Sequence, residues 1–486
     1  MSLQSADRAP EPLRLPRAQV LRIVLGLLLS LFLAALDQMI VSIALVAIAG
    51  DLGRLDLVPW VVSGYLVAST VATPIYGKLS DLFGRWPVLA AAIVIYVVGA
   101  GLSTLAQSMS WLLAFRLLQG IGGGGLISLV QTVVADVAPG PERGRYQGYL
   151  AGVFAIAAVA GPLLGGLLTH YLSWRAVFGI SVPLGLLAFA LAARVLRTLP
   201  IVRRRRPIDY AGALLLGATL GCLMTALTRI GQGHGAQSVM TLGLFCTSAL
   251  AAVMLAWREH RAPEPILPPS LLANRTVWLC CVTTGMSFVV LVGVSVLLPM
   301  LFLSLGGMRA DQVALWLVPI SLAVPVGSMF GGRAMWGLAR PRTLLIGGAV
   351  MQIAGMAGLS TLPLHSPLVL GLAMVVGGLG VGITIPPTIV APQEAVPREQ
   401  VGIVTATTAL CRTLGSAFGI AALSAVLFGQ LEIGTSIAGA GTALKSIPAE
   451  SLAPAFTRVF EAATLFAAIG LAFALALPRR GLSSAN

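Results

Sequence analysis

"GKLSDLFGRW", Gly77 to Trp86, is a charged decapeptide between two apolar runs, and its reading decides the fold. Lys78, Asp81 and Arg85 crowd into it, although the whole chain is 57% hydrophobic and only 10% charged. A soluble protein carries about a quarter charged residues. Mean hydropathy here is +0.94. Apolar runs on both sides of the decapeptide, and repeatedly along the 486 residues, reach the length that crosses ~30 Å of hydrocarbon. The composition describes a polytopic, all-α membrane protein, and the decapeptide is a short connection between two spans.

Working outward, hydropathy predicts spans at 20–48, 57–77, 87–107, 110–135, 146–170, 174–197, 209–229, 238–257, 276–304, 312–333, 342–362, 366–390, 401–430 and 455–477. That makes about fourteen. With the N-terminus in the cytoplasm, alternate connections on the inner side collect about 23 Lys and Arg, against about six outside. Both termini are therefore expected inside, and the net charge of +14 is an inner-leaflet pattern rather than a nucleic-acid site. The longer linkers "RTLPIVRRRRPID" from Arg197 and "REHRAPEPILPPSLLANR" from Arg258 divide the spans into six, two and six. The expected organisation is a tail (1–19), a six-helix bundle (20–200), a basic linker with a two-helix insert (201–262), a second six-helix bundle (263–478) and a tail (479–486). Two pseudo-symmetric bundles suit a transporter that rocks about a central site.

Other classes lack support. Arg8, Arg14 and Arg17 before an apolar run imitate a signal peptide, but the run continues past Ala49, so a retained first span is expected. Cys222, Cys246, Cys280, Cys281 and Cys411 fall within apolar runs without metal spacing, and His170, His234, His260 and His365 are scattered. No metal site is expected. A nucleotide-driven pump or other enzyme is disfavoured because no G-x-x-x-x-G-K-[ST] loop occurs.

Ionisable residues inside spans are costly and mark functional sites by default. Asp37 lies roughly 20 Å beyond Val24 in the first span, and Arg116 roughly 8 Å below Trp111 in the fourth. These depths agree, so carboxylate and guanidinium can pair. Burial raises a carboxyl pKa and a nearby cation lowers it, which suits proton coupling through Asp37 and Arg116. A fixed structural ion pair is the other reading. Arg412, midway along the thirteenth span, either lines a cavity or holds helices together, and Glu461 near the outer end of the last span is expected to be solvated.

Candidate cavity residues are the polar Gln38, Tyr65 and Gln119, with Ser63, Gln131, Gln147 and Thr405 beside them. Phe154, Met286, Phe288 and Trp316 could offer soft apolar contact, and Arg412 joins them as a charged candidate. Packing or lipid contact is the alternative for each, since pockets use few placed polar groups. "GVFAIAAVAGPLLGG", from Gly152, carries Gly161, Pro162, Gly165 and Gly166. Gly161 and Gly165 have the spacing of a tight helix interface, and Pro162 can kink the span.

These features together resemble the major facilitator superfamily, and within it the fourteen-helix drug:H+ antiporter family of multidrug exporters. "GKLSDLFGRW" is similar to the superfamily signature between the second and third helices, with Gly77, Asp81, Gly84 and Arg85 in register. Leu82 and Trp86 stand where family members usually have basic residues. "RLLQGIGGG" resembles the fourth-helix motif associated with proton transfer, and "GVFAIAAVAGPLLGG" the fifth-helix motif of exporters. "LDQMIVSIALVAIAGDL" resembles the first-helix motif of the fourteen-helix subfamily, with Val46 in place of its usual proline. "WRAVFGISVPLG" is similar to the start of the sixth helix, with Ser181 in place of Asn.

The resemblance implies a cytoplasmic latch. Arg85 would pair with Asp136, and Asp81 would face the N-terminus of the thirteenth helix near Gln400, where the helix dipole favours an anion. It also implies a proton-coupled antiporter that exports hydrophobic or cationic small molecules by alternating access. A dedicated exporter of one metabolite, lipid or peptide-like compound is the alternative, and a channel or receptor fits the two-bundle layout less well. The expected partners are a small-molecule substrate, protons and the lipid bilayer, with no nucleic acid. A monomer in the cell inner membrane is expected, with no cofactor beyond the proton gradient, and a periplasmic adaptor protein is left open.

Overall fold

A computed structural model describes residues 16–53, 57–138, 140–197, 209–231, 235, 237–262, 265, 271, 273–304, 310–335, 340–361, 366–397, 400–430 and 449–478. The basic run Arg203 to Arg206, part of the second linker, and residues 1–15 and 479–486 lie outside the described residues. Among the described residues the secondary structure is helical, without strands. The helices are α1 (Arg17–Leu52), α2 (Val58–Phe83), α3 (Arg85–Thr104), α4 (Met109–Val137), α5 (Gly140–Tyr171), α6 (Trp174–Gly179), α7 (Ser181–Leu196) and α8 (Tyr210–Gly231). They continue as α9 (Val239–Glu259), α10 (Arg275–Ser304), α11 (Ala310–Met335), α12 (Pro341–Ser360), α13 (Pro367–Glu394), α14 (Val401–Gln430) and α15 (Ala449–Leu475).

Only helices satisfy every backbone group within one apolar segment, so long apolar runs in lipid become helices. Twelve stretches among the described residues are long and apolar enough to cross a membrane, with α6 and α7 joined as one. The protein is therefore a multi-pass membrane protein. The expected fourteen exceeds this by α2 and α5, which are 26 and 32 residues long. Both helices include residues that lie outside the described set, and the twelve are counted among the described residues. Hydroxyls within the spans bond back to the preceding turn, as Thr405, Thr407 and Thr408 do to carbonyls four residues earlier at 2.7, 2.7 and 2.9 Å. Such bonds make a polar side chain tolerable inside hydrocarbon.

The helix ends are written locally. The Ser108 hydroxyl accepts from the Trp111 amide at the start of α4, Asp209 accepts from Gly212 at α8, and Asn274 accepts from Thr276 and Val277 at α10. These side chains satisfy amides that the first helical turn leaves without partners. Between α2 and α3 the chain reverses on Gly84, whose φ of 92° belongs to the left-handed region that glycine occupies without steric cost. The end of the bundle where this turn lies is termed the loop end below.

Two sets of helices pack in the same pattern. α1 lies on α5, α2 on α4, α3 on α4, and α3 on α7; in the second set α10 lies on α14, α11 on α13, α12 on α13, and α12 on α15. Each set encloses its own apolar core. One gathers residues such as Leu27, Leu89, Leu126 and Val133, the other Val294, Leu298, Met374 and Phe456. The pair α8–α9 belongs to neither core. Leu216, Leu220 and Met224 of α8 pack on Val67 and Val71 of α2 and on Leu410 and Leu414 of α14, so the insert straddles the two sets. Leu214, Val239, Leu250, Leu368 and Leu465 are exposed, an apolar exterior suited to lipid.

Glycine-rich segments set the closest approaches in both halves. In α4 the run "GIGGGG", Gly120 to Gly125, brings Gly120 and Gly124 against the backbone of Tyr65 and Ser69 on α2, and Gly122 against Ala92 and Tyr96 on α3. In α13 the run "GGLGVG", Gly377 to Gly382, does the same: Gly382 meets Val324 and Ser328 on α11, and Gly380 meets Gly348 and Gln352 on α12. A Cβ at any of these positions would overlap backbone of the facing helix. Small residues are what permit helices to associate this closely in lipid.

Candidate functional site

Inside the first set of helices, α1 carries Asp37 and α4 carries Arg116 and Gln119 one turn apart. The Arg116 Nη1 donates to both Asp37 carboxylate oxygens at 2.9 and 2.8 Å and to Gln119 Oε1 at 2.7 Å. Its Nε donates to the Val61 carbonyl at 3.0 Å. Gln119 Nε2 closes the ring by donating to Asp37 Oδ1 at 3.0 Å. The guanidinium lies 4.3 Å from the Tyr65 ring centre and 5.6 Å from that of Phe178. Asp37 is 2% exposed and Arg116 is 1% exposed. A buried charge is tolerable only when paired and fully hydrogen-bonded, and this pair meets both conditions.

Tyr65 and Gln119, expected along a cavity, are both buried in the ion-pair site, Gln119 bridging its two charges and Tyr65 covering the guanidinium. Among the described residues the Tyr65 hydroxyl has no hydrogen-bond partner, and it abuts Gly123, where any side chain would displace it. Gln38 is half-buried on the next residue of α1. Phe154 packs against the apolar core of its own half. Met286 faces Gly470 on α15, and Trp316 lies 6.1 Å from Phe302, so both contribute to packing within the second half. Helix rotation, which hydropathy does not encode, decides these placements.

Phe288 and Arg412 do come together, with the guanidinium 5.6 Å from the ring centre. Between α10, α12 and α13 the second half holds an uncharged cluster. Gln352 Nε2 donates to Ser287 Oγ at 3.1 Å, and Thr384 Oγ1 lies 3.4 Å from the same oxygen. Their signal in the sequence is a Gln and two hydroxyls on predicted spans.

At the loop end the decapeptide forms a network. Arg85 Nε donates to Asp136 at 2.6 Å, and Arg85 Nη1 donates to Ser80 and to Asp81. The other Asp81 oxygen accepts from the Ile403 amide, in the first turn of α14, at 3.1 Å. Gly402 carries no side chain where Asp81 sits, and Gly77 meets Gly402 and Ala406. The network thus ties α2, α3 and α4 of one half to the N-terminus of α14 in the other, where the helix dipole favours an anion. α5 and α11 also meet between the halves, Gly148 lying beside Met329.

Of the fifth-helix motif, Gly161 packs directly on Met39 and Ile40 of α1, one turn from Asp37. Gly165 is buried, whereas Gly152 and Gly166 have open space around them. α5 runs as one helix through Pro162. In the second half, Gly415 and Gly419 of α14 make the equivalent close contact with Gly285 and Val289 of α10. That spacing was visible in the sequence but was not read.

At the far end of the first half, Asp51 accepts from Trp174 Nε1 at 2.9 Å and from Arg175 Nη1 at 2.7 Å. These bonds, the one from Arg175 first, hold the Asp51 carboxyl below its ordinary value. Among the described residues no group of three or more His, Cys, Asp or Glu is arranged to hold a metal ion.

Residues 27–420 match the sequence profile of the Major Facilitator Superfamily. The chain belongs to that superfamily. Two curated relatives come from Bacillus subtilis (strain 168). The multidrug transporter protein MdtP is 32% identical over 409 residues, covering 83% of this chain and 75% of the relative. Multidrug resistance protein 3 is 32% identical over 414 residues, covering 84% and 79%. The solved structure of the proton:xylose symporter XylE bound to 6-bromo-6-deoxy-D-glucose superposes with a TM-score of 0.62 at 16% identity, over 93% of this chain and 96% of that one. It supports the fold alone. This major facilitator protein is a transporter and not an enzyme.

Proposed function

We propose that this major facilitator protein is a proton-coupled antiporter that exports hydrophobic or cationic small molecules across the cell inner membrane. Its two curated relatives carry multidrug names, which favours drug efflux. The observation that carries proton coupling is the sealed Asp37–Arg116 pair. This acid is buried at 2% exposure and held by a cation on another helix, so any parting of α1 from α4 changes its surroundings, which is what coupling to conformation requires. A proton arriving from outside neutralises Asp37, releases Arg116 from it and weakens substrate binding nearby. Protons run inward as substrate leaves, and no cofactor is needed.

In this reading α2 and α5 also cross the bilayer, giving fourteen spans with both termini in the cytoplasm and the loop end facing inward. The joined Arg85–Asp136 and Asp81–Ile403 contacts then hold the inner gate shut, and alternating access requires them to part. The protein works as a monomer, with an adaptor protein as an optional partner.

The experiment uses inverted vesicles acidified inside. Adding an exported hydrophobic dye, cationic or anionic, should collapse part of the proton gradient, and Asp37→Asn should abolish the response while the protein still inserts and folds. Transport that persists in Asp37→Asn and without a gradient would remove the proposed coupling.

A further inference from the structure

Arg412 is the charge that the ion pair does not account for. It sits about 17 Å along α14 from Val401, near the middle of the hydrocarbon, and it is partly exposed. Among the described residues no carboxylate pairs with it and no acceptor takes its protons; its guanidinium lies over the Phe288 ring. Of the acids in the chain, Asp37 and Glu461 alone lie more than a turn inside a predicted span. Asp37 is committed to Arg116, and Glu461 to Arg458 at 2.9 Å on an exposed face.

The direction of Arg412 follows from its neighbours on α14. Leu410 and Leu414 pack toward α8, Gly415 against α10, and Phe418 against Phe466 of α15. Gly402 and Ala406 face α2. At about 100° per residue, Arg412 falls on the remaining arc, between α10 and α2. That arc faces the inside of the molecule, between its halves. An aromatic face attracts a cation but does not neutralise it, and a desolvated charge without a counter-ion is strongly unfavourable. Intramembrane charges in this position mark substrate pathways.

We propose that Arg412, backed by Phe288, is the docking point for the acidic group of a lipophilic anion, so the exported compounds are hydrophobic carboxylates or sulfonates rather than simple cations. The assignment rests on the efflux reading for direction and narrows its substrate class. The guanidinium offers forked donors to two oxygens of a carboxylate, and Phe288 offers a face to the apolar body. The substrate charge then sits on α14 and the proton site between α1 and α4, so coupling passes through movement of the halves rather than direct competition for one group. Export of an anion against an entering proton carries positive charge inward on both legs, so the membrane potential drives it as well as the pH gradient.

The test measures dye binding to the purified full-length protein, by fluorescence anisotropy and without any gradient. Fluorescein serves as the carboxylated xanthene and rhodamine 6G as the esterified cationic one. Wild type should bind fluorescein at least about tenfold more tightly. Arg412→Gln should weaken fluorescein by about tenfold or more and leave rhodamine 6G nearly unchanged, and Arg412→Lys should recover most of the loss. The proposal is overturned if wild type binds rhodamine 6G as tightly, if it binds neither dye, or if Arg412→Gln weakens both alike. Fluorescein bound through Arg412 but not exported in vesicles would keep this assignment and remove the efflux reading. Export of the cation alone, indifferent to Arg412→Gln, would do the reverse.

Discussion

The two halves share a packing scheme but furnish their interiors differently. Between α1 and α4 the first half buries an Asp, an Arg and a Gln in one closed network. The second half buries the neutral Ser287, Gln352 and Thr384 between α10, α12 and α13. Its charge stands elsewhere, on α14, where Arg412 has an aromatic ring for company and no acid among the described residues. Symmetry of backbone therefore does not extend to chemistry. Under the proposed coupling the proton-responsive group belongs to the first half, and the charge proposed to meet a ligand belongs to the second.

The contrast is broken most severely at the ion pair. Asp37→Ala leaves Arg116 buried without its partner and should cost about 3–5 kcal/mol, read as a large fall in thermal unfolding temperature. The double change Asp37→Asn with Arg116→Gln should recover much of that stability while transport stays lost. Recovery of transport would remove any special role for the pair.

Next come the glycine runs, where the halves should agree. Gly124→Val in α4 and Gly382→Val in α13 each force a side chain into facing backbone, and overpacking of this kind costs about 1–3 kcal/mol. Comparable losses in yield and melting temperature are expected for both; a loss in one half only would undo the packing equivalence.

Arg85→Gln should remove the bonds to Asp136 and Asp81. Because the group is partly accessible, the stability change should stay near ~1 kcal/mol, while cysteine accessibility inside the loop end rises. Ser287→Ala in the neutral cluster should cost about 0.5–1.5 kcal/mol and leave proton coupling intact, which separates the two interiors functionally.

The smallest effect is at Asp51, exposed and paired with Arg175. Its carboxyl is held below its ordinary value of 3.8, so any contribution is complete above that pH and fades as pH falls through the lowered folded value. Asp51→Asn should leave melting at neutral pH almost unchanged and flatten the acid limb slightly.

Much of the spanning pattern was legible because lipid imposes one rule on sequence, continuous apolar length. Depth was legible too: counting residues placed Asp37 and Arg116 at one level, and they are hydrogen-bonded. The partners of Arg85 and Asp81 came instead from resemblance, since nothing local in "GKLSDLFGRW" points to Asp136 or to Ile403. Rotation was the hidden variable. A membrane helix is apolar on most sides, so the sequence left open whether Met286 faces a ligand or Gly470, and whether Gln119 lines a cavity or bridges a salt link. The glycine runs did carry a directional signal in their spacing, and α14 shows it at Gly415 and Gly419.

The α8–α9 hairpin has a consequence for access from the side. It leans on Val67 and Val71 of α2 and on Leu410 and Leu414 of α14, the same helix pair that Asp81 fastens at one end. A lipid tail or an oily solute drifting in the leaflet therefore meets a screened gap at this flank. If α2 and α14 separate as proposed, the hairpin must slide over both like a gusset across a seam. Among the described residues no such cover lies over the opposite flank, where α5 faces α11.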